Sequence, residues 1–111
     1  MKTYKEIKPF KSRSKPKFKH PDGTIIYGTI LDEVEIEHGN PKGKFYKYLV
    51  QEILYEPDDV LGEVNKEFRF CYYYNNFSNE KPRWVFGQYA LTITKAELKE
   101  LLKKMKEKGW I

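Results

Sequence analysis

Apolar and polar residues alternate along the middle of the chain in a way that is typical of half-buried β-strands. Val34 and Ile36 alternate with Glu33, Glu35 and Glu37, so one row is expected to face a core and the other to face water. Similar stretches, separated by short segments containing Gly, Pro, Asn or Asp, predict four strands in all, at residues 24–37, 45–56, 68–75 and 83–93.

Asp32 interrupts the apolar row of the first predicted strand, which contains Ile26, Ile30 and Val34. A carboxylate that faces a core costs free energy unless it is paired. The pattern therefore predicts a β-bulge or a bend at Asp32, with a buried carboxylate as the alternative.

The C-terminal residues carry the signals of a helix and of both its ends. Thr94 and Glu97 have the spacing of a capping box, in which each side chain bonds the backbone N–H of the other residue. Gly109 stands where a helix typically ends in a left-handed residue, so the helix is predicted at 95–108. Its apolar residues recur on one face, at Leu98, Leu101, Leu102 and Met105.

These elements predict an α+β fold, in which an antiparallel meander of about four strands is covered on one face by the C-terminal helix. Residues 21–111 are expected to form this single domain. Residues 1–20 contain two prolines and no sustained period, and they are interpreted as a basic N-terminal arm or tail.

Composition narrows the class of protein. The chain has 111 residues, of which 40% are hydrophobic and 33% are charged, and no apolar run approaches the length of a membrane-spanning helix. It contains one cysteine and begins without an apolar leader segment, which favours a reducing compartment. We therefore expect a soluble, cytoplasmic monomer or weak homodimer with no membrane partner.

Charge is distributed unevenly, and the two ends of the chain are basic. Residues 1–20 hold eight Lys and Arg residues against one Glu, and residues 95–111 hold six lysines against three Glu. The residues between them, 21–94, hold seven basic and twelve acidic side chains. Basic segments of this kind bind nucleic acid by releasing counterions from the phosphates, without reading the base sequence.

The leading hypothesis is a small non-enzymatic protein that binds nucleic acid through its basic arm and the lysines of its helix. Tyr73 stands in a run of three tyrosines and is predicted to stack on a base. The residues predicted to contact phosphates are Lys11, Arg13, Lys15, Lys17, Lys19, Lys99, Lys103 and Lys106.

The alternative is a regulator or inhibitor that binds another protein, of the kind that phages and mobile elements encode. Tyrosine is enriched at protein interfaces, and a row of carboxylates can mimic the phosphates that a basic groove binds. The residues predicted for this function are Glu33, Glu35, Glu37 and Tyr73.

The sequence contains none of the common catalytic motifs: no P-loop, no G-x-S-x-G, no H-E-x-x-H and no paired C-x-x-C. Cys71 lies in the middle of a predicted strand, where a thiol is usually a small buried group. No cofactor, metal site or catalytic residue is predicted. A metal-dependent hydrolase built on Asp32 and the neighbouring glutamates is a third hypothesis.

Overall fold

The computed structural model describes residues 13, 15–57 and 65–111, which form an antiparallel meander followed by a C-terminal helix. The strands lie in sequence order across one five-stranded sheet. This confirms the predicted α+β fold class. The elements are β1 (Lys17–Lys19), β2 (Ile25–Gly39), β3 (Lys44–Tyr55), β4 (Asn65–Asn76), β5 (Val85–Phe86) and α1 (Lys95–Glu107).

The strands at the two ends of the meander differ from the prediction. Strand β1 comes from the segment predicted to be an arm, and it pairs with β2 so that Lys17 lies opposite Tyr27. Strand β5 has two residues, although the pattern predicted a strand over 83–93. The boundary between arm and domain that the sequence places at residue 20 stays a prediction. Residues 17–19, on the arm side of that boundary, belong to the sheet.

Strand β2 contains one more residue than the part of β3 that pairs with it. Near the hairpin, Asn40 N donates to Lys44 O at 2.8 Å, and at the other end Glu56 N donates to Tyr27 O at 3.1 Å. Between these two hydrogen bonds, the stretch from Tyr27 to Asn40 is one residue longer than the opposite stretch from Lys44 to Glu56. One extra residue in one of two paired strands is a β-bulge, and here it lies in β2. Within it, Asp32 accepts from Glu33 N at 2.8 Å. The register therefore agrees with the irregularity predicted at Asp32.

The described chain divides into two compact units, which we call the helix unit and the strand unit. The helix unit comprises Val34–Val50 and Phe70–Ile111, and therefore contains α1 and β5. The strand unit comprises the described residues within 8–33 and 51–69, and therefore contains β1.

Both ends of α1 have the local hydrogen bonds that the sequence predicts. Glu97 N donates to Thr94 Oγ1 at 3.1 Å, and Thr94 N donates to Glu97 Oε1 at 2.9 Å, which completes the capping box. At the other end, Trp110 N donates to Met105 O, and Gly109 has a φ of 77°. This is the Schellman ending. Within the described residues, no helix combines the length and apolar character needed to cross a membrane.

The apolar stripe of α1 covers strand residues within the helix unit. Leu101 is 0% exposed and Met105 is 4% exposed, whereas Leu98 and Leu102 are 40% and 37% exposed. The stripe is therefore narrower than its four apolar residues predict. The two buried residues belong to one core cluster with the strand residues Val34, Ile36, Tyr48 and Val50.

We expect Leu101→Ala to lower the free energy of unfolding by about 2–5 kcal/mol, because the residue is fully buried and its truncation leaves a cavity. Leu102→Ala is the matched control on the same helix, and its loss should be much smaller because Leu102 already contacts water. Urea denaturation followed by circular dichroism measures both. Equal losses would show that Leu101 does not anchor α1.

Candidate nucleic-acid interface

An open groove lined mostly by aromatic residues lies in the helix unit. Its volume is about 430 Å³. We call it the tyrosine groove, and its lining residues are Tyr46, Tyr72, Tyr74, Val85, Phe86, Gly87, Gln88 and Tyr89. Tyr89 is 85% exposed, so its ring is available to a ligand without any rearrangement of the fold.

The floor of the groove follows from strand alternation. Tyr72 and Tyr74 are two residues apart on β4, so their side chains lie on the same face of the sheet. Tyr46 on β3 meets both of them, with ring centroids 6.0 Å from Tyr72 and 5.1 Å from Tyr74. These distances are those of interacting aromatic rings, which fix one another in place.

One wall of the groove is formed by residues 85–89, that is, by β5, which lies beside β4 in the sheet, and the three residues after it. Val85 pairs with Tyr74, and Gly87 N donates to Tyr72 O at 2.8 Å. A Cβ at Gly87 would overlap the ring of Tyr72. Glycine is therefore required for this close approach, which brings the segment down onto the tyrosine ring.

The tyrosine groove is continuous with the packing of α1. Tyr46 and Tyr72 line the groove and also pack against the core cluster that contains Leu101 and Met105. Lys104 Nζ donates to Glu35 O at 2.9 Å, which adds a polar contact between α1 and β2. The groove and α1 are therefore parts of one packed structure within the helix unit.

His38 and Glu97 form a second polar contact between β2 and α1. His38 Nδ1 lies 2.7 Å from Glu97 Oε2, while the other carboxylate oxygen of Glu97 accepts from Thr94 N. The imidazole stacks on Tyr48, with ring centroids 5.1 Å apart and an interplanar angle of 23°. Its centroid is 5.9 Å from the ring of Tyr46.

These contacts change two pKa values. The backbone N–H of Thr94 holds the pKa of Glu97 below its usual range, and the Thr94 hydroxyl and His38 act in the same direction. Burial raises the pKa of Tyr48, and the nearby charge of Glu97 raises it further. Glu97 is therefore a stable anion near neutral pH, and Tyr48 is a neutral phenol.

The described residues of the helix unit have a net positive charge. They include eleven Lys and Arg side chains against six Asp and Glu, a net charge of +5. Lys99, Lys103 and Lys106, predicted to contact phosphates, are all exposed on α1. They give α1 a row of accessible positive charges.

The predicted residues of the arm have different surroundings. Lys11 lies outside the described residues, and Lys15, Lys17 and Lys19 are exposed in the strand unit. Arg13 forms a two-pronged ion pair with Glu33, with N–O distances of 2.7 and 2.8 Å. Its guanidinium is therefore already neutralised by an anion of the protein.

The Arg13–Glu33 pair belongs to a longer polar chain inside the strand unit. Gln51 is 0% exposed and donates from Nε2 to Glu33 Oε2 at 3.1 Å. Gln51 Oε1 accepts two hydrogen bonds from Arg69, at 3.0 and 2.6 Å. The buried amide is satisfied on both sides, so this chain of side chains positions Arg13 and Glu33 as a structural group.

The predicted acidic row is divided by these contacts. Glu33 is engaged by Arg13 and Gln51, and a weaker pair joins Glu35 to Lys47 at 3.6 Å. Glu37 is exposed. Within the described part of the chain, no three His, Cys, Asp or Glu side chains come together as metal ligands would.

Tyr73, predicted to stack on a base, is absent from the lining of the tyrosine groove. Its ring packs edge-to-face on Phe86, with centroids 5.3 Å apart. Sequence reasoning named the tyrosine run of β4 and assigned no site role to Gly87, Gln88 or Tyr89. The signal was the Phe-Gly-Gln-Tyr run at 86–89, because a glycine among aromatic residues indicates a close backbone approach.

No known protein-family model, curated protein or solved structure matches this chain. The function is therefore inferred from the tyrosine groove, the charges and the contacts described above.

We expect the stability of the wild-type protein to fall more steeply than that of Glu97→Gln as pH falls from 6 to 3. Because the pKa of Glu97 is lowered in the folded state, its contribution is present above the unfolded pKa and is lost as pH falls through the folded pKa. Urea denaturation across the pH range measures this. The control is Glu100→Gln, an exposed carboxylate on α1, which should leave the slope unchanged. Parallel slopes for wild type and Glu97→Gln would contradict the assignment.

Proposed function

We propose that this protein binds single-stranded nucleic acid, with bases stacked in the tyrosine groove and phosphates attracted by the exposed lysines of α1. The observation that supports this most directly is the combination found in the helix unit. An open groove lined by four tyrosines lies in a unit whose described residues have a net charge of +5. Aromatic platforms in basic surroundings are the usual means of binding single strands.

The chemistry of the groove favours binding that tolerates any base sequence. Every base has a π-face that can stack on a tyrosine ring, whereas a base inside a duplex is already stacked on its neighbours. The positive residues of α1 are all lysines, which attract phosphates as point charges and do not make the two-pronged contacts by which arginine reads guanine. We therefore propose single strands as the ligand and little sequence preference.

The basic arm has a smaller part in this proposal than the sequence predicts. Lys15, Lys17 and Lys19 are exposed and stay candidate phosphate contacts. Arg13 would have to leave Glu33 before it could bind a phosphate, and breaking a half-buried two-pronged pair costs free energy. The exposed lysines of α1 require no such exchange.

Binding to another protein is the second candidate, and the exposed residues of the groove favour it. Val85 and Phe86 are 42% and 38% exposed beside Tyr89, and aromatic residues are enriched in the centres of protein interfaces. Such a partner would be recovered from a lysate after nuclease treatment, and Tyr89→Ala would abolish the recovery.

The salt dependence of binding tests the first proposal. Fluorescence anisotropy with a labelled thymidine oligonucleotide should show binding that weakens as salt rises from about 0.05 to 0.3 M. An unlabelled single strand should compete better than a duplex of the same length. Binding to neither ligand at the lowest salt concentration would refute the proposal.

Substitution of Tyr89 tests the groove. Tyr89→Ala should weaken binding by about 1–3 kcal/mol, at least about fivefold, because one base loses its stacking partner. The substitution should leave the fold intact, since the side chain is 85% exposed. Tyr27→Ala is the matched control, because Tyr27 is 41% exposed but belongs to the strand unit. Equal losses for the two variants would remove the groove from the interface.

Substitution of the helix lysines tests their contact with phosphates. Replacing Lys99, Lys103 and Lys106 together by Gln should lower the slope of log affinity against log salt by about two, at about 0.7 for each phosphate contact. The same change at Lys15, Lys17 and Lys19 measures the part played by the arm. An unchanged slope in the α1 variant would show that α1 does not contact the ligand.

A further inference from the structure

His38 lies where the two parts of the proposed interface meet. Its ring is 5.9 Å from the ring of Tyr46, which lines the tyrosine groove. Its Nδ1 is 2.7 Å from Glu97, which belongs to the helix that carries the lysines. The imidazole side chain is 44% exposed, so solvent protons reach it without any unfolding.

We infer that His38 is a positioning residue that couples nucleic-acid binding to pH, so that binding tightens as the imidazole takes up a proton. This inference rests on the proposed function, because Tyr46 and α1 are parts of the proposed interface. Histidine is the residue whose charge ordinarily changes between pH 5 and 8. No other ionisable side chain in this contact has that property in its unperturbed form.

The groups that face His38 are carboxylates and phenols. From α1 it meets the carboxylate of Glu97, and from β3 it meets the phenol rings of Tyr46 and Tyr48. Glu37 is its neighbour on β2. None of these groups is a cation, so the proton creates a charge-assisted hydrogen bond to Glu97 and meets no repulsion from them.

Protonation would act on the interface in two ways. First, the charged pair of His38 and Glu97 holds the start of α1 more firmly against β2, and it keeps the imidazole ring of His38 packed beside Tyr46. Second, the imidazolium of His38 places a positive charge beside the tyrosine groove, and this charge partly cancels the negative charge of Glu97. Because a polyanion favours the more positive state, its binding must in turn favour proton uptake by His38.

Counterion release sets the upper bound of the effect. One additional positive charge that contacts a single-stranded phosphate multiplies affinity by about five at 0.1 M salt, and the His38 charge stays paired with Glu97, so its effect should be smaller. The change should therefore be a gain in affinity of less than about fivefold between pH 8 and about pH 5.5, at constant ionic strength.

Anisotropy with an oligothymidine that lacks a terminal phosphate tests this, because its thymine bases and phosphodiesters do not titrate in that range. We expect tighter binding by the wild type at the lower pH, by less than about fivefold, and no change for His38→Gln. His20→Gln is the matched control, since His20 is the other histidine of the chain and belongs to the strand unit. This control should keep the full pH dependence.

A second measurement detects the positioning role without any nucleic acid. As the imidazole of His38 titrates, NMR resonances of the Tyr46 ring should shift with the same midpoint, and they should stay constant in His38→Gln. Static Tyr46 resonances would overturn the inference.

The outcomes separate the inference from the proposed function. Binding that is independent of pH, or pH dependence that survives in His38→Gln, overturns the inference alone. Absence of binding at both pH values overturns the proposed function and the inference together.

Discussion

Leu101 and Met105 bury the inner face of α1 against β2 and β3, and the candidate interface depends on this packing. Tyr46 and Tyr72 pack against the same cluster and line the groove with their remaining surface. The packing also brings Glu97 to His38, because both lie at the start of the contact between α1 and β2. Hydrophobic burial therefore holds the tyrosine rings in place, and it leaves Lys99, Lys103 and Lys106 exposed on the opposite side of α1.

The strand unit solves a different problem, which is the burial of polar groups. Gln51 is fully buried and joins Glu33 to Arg69, while Glu33 also holds Arg13. A buried network of this kind stabilises a fold only when each member is satisfied, and here the amide bonds on both sides. As a consequence, part of the charge that looks available in the sequence is already used within the protein.

The predictions that succeeded depend on neighbours in sequence. The capping box of Thr94 and Glu97 and the ending at Gly109 are local hydrogen-bond patterns, so a short stretch of sequence determines them. Strand β1 was missed because three residues that follow Pro16 carry too little pattern. Strand β5 was predicted too long, because the aromatic residues after 83 resemble a strand while the pairing with β4 stops soon after Val85 and Phe86, with a last bond from Gly87 N to Tyr72 O.

The sequence by itself determined the class of fold, the limits of α1 and the excess of lysine on that helix, since composition and short-range spacing set all three. Tertiary structure decided which tyrosines share a groove, because Tyr46, Tyr74 and Tyr89 come from separate segments and meet only through strand pairing and its register. It also decided that Arg13 bonds to Glu33, twenty residues away, and that His38 bonds to Glu97, fifty-nine residues away. A charge can be counted from the sequence, but its partner depends on which distant residues the fold brings within hydrogen-bond reach.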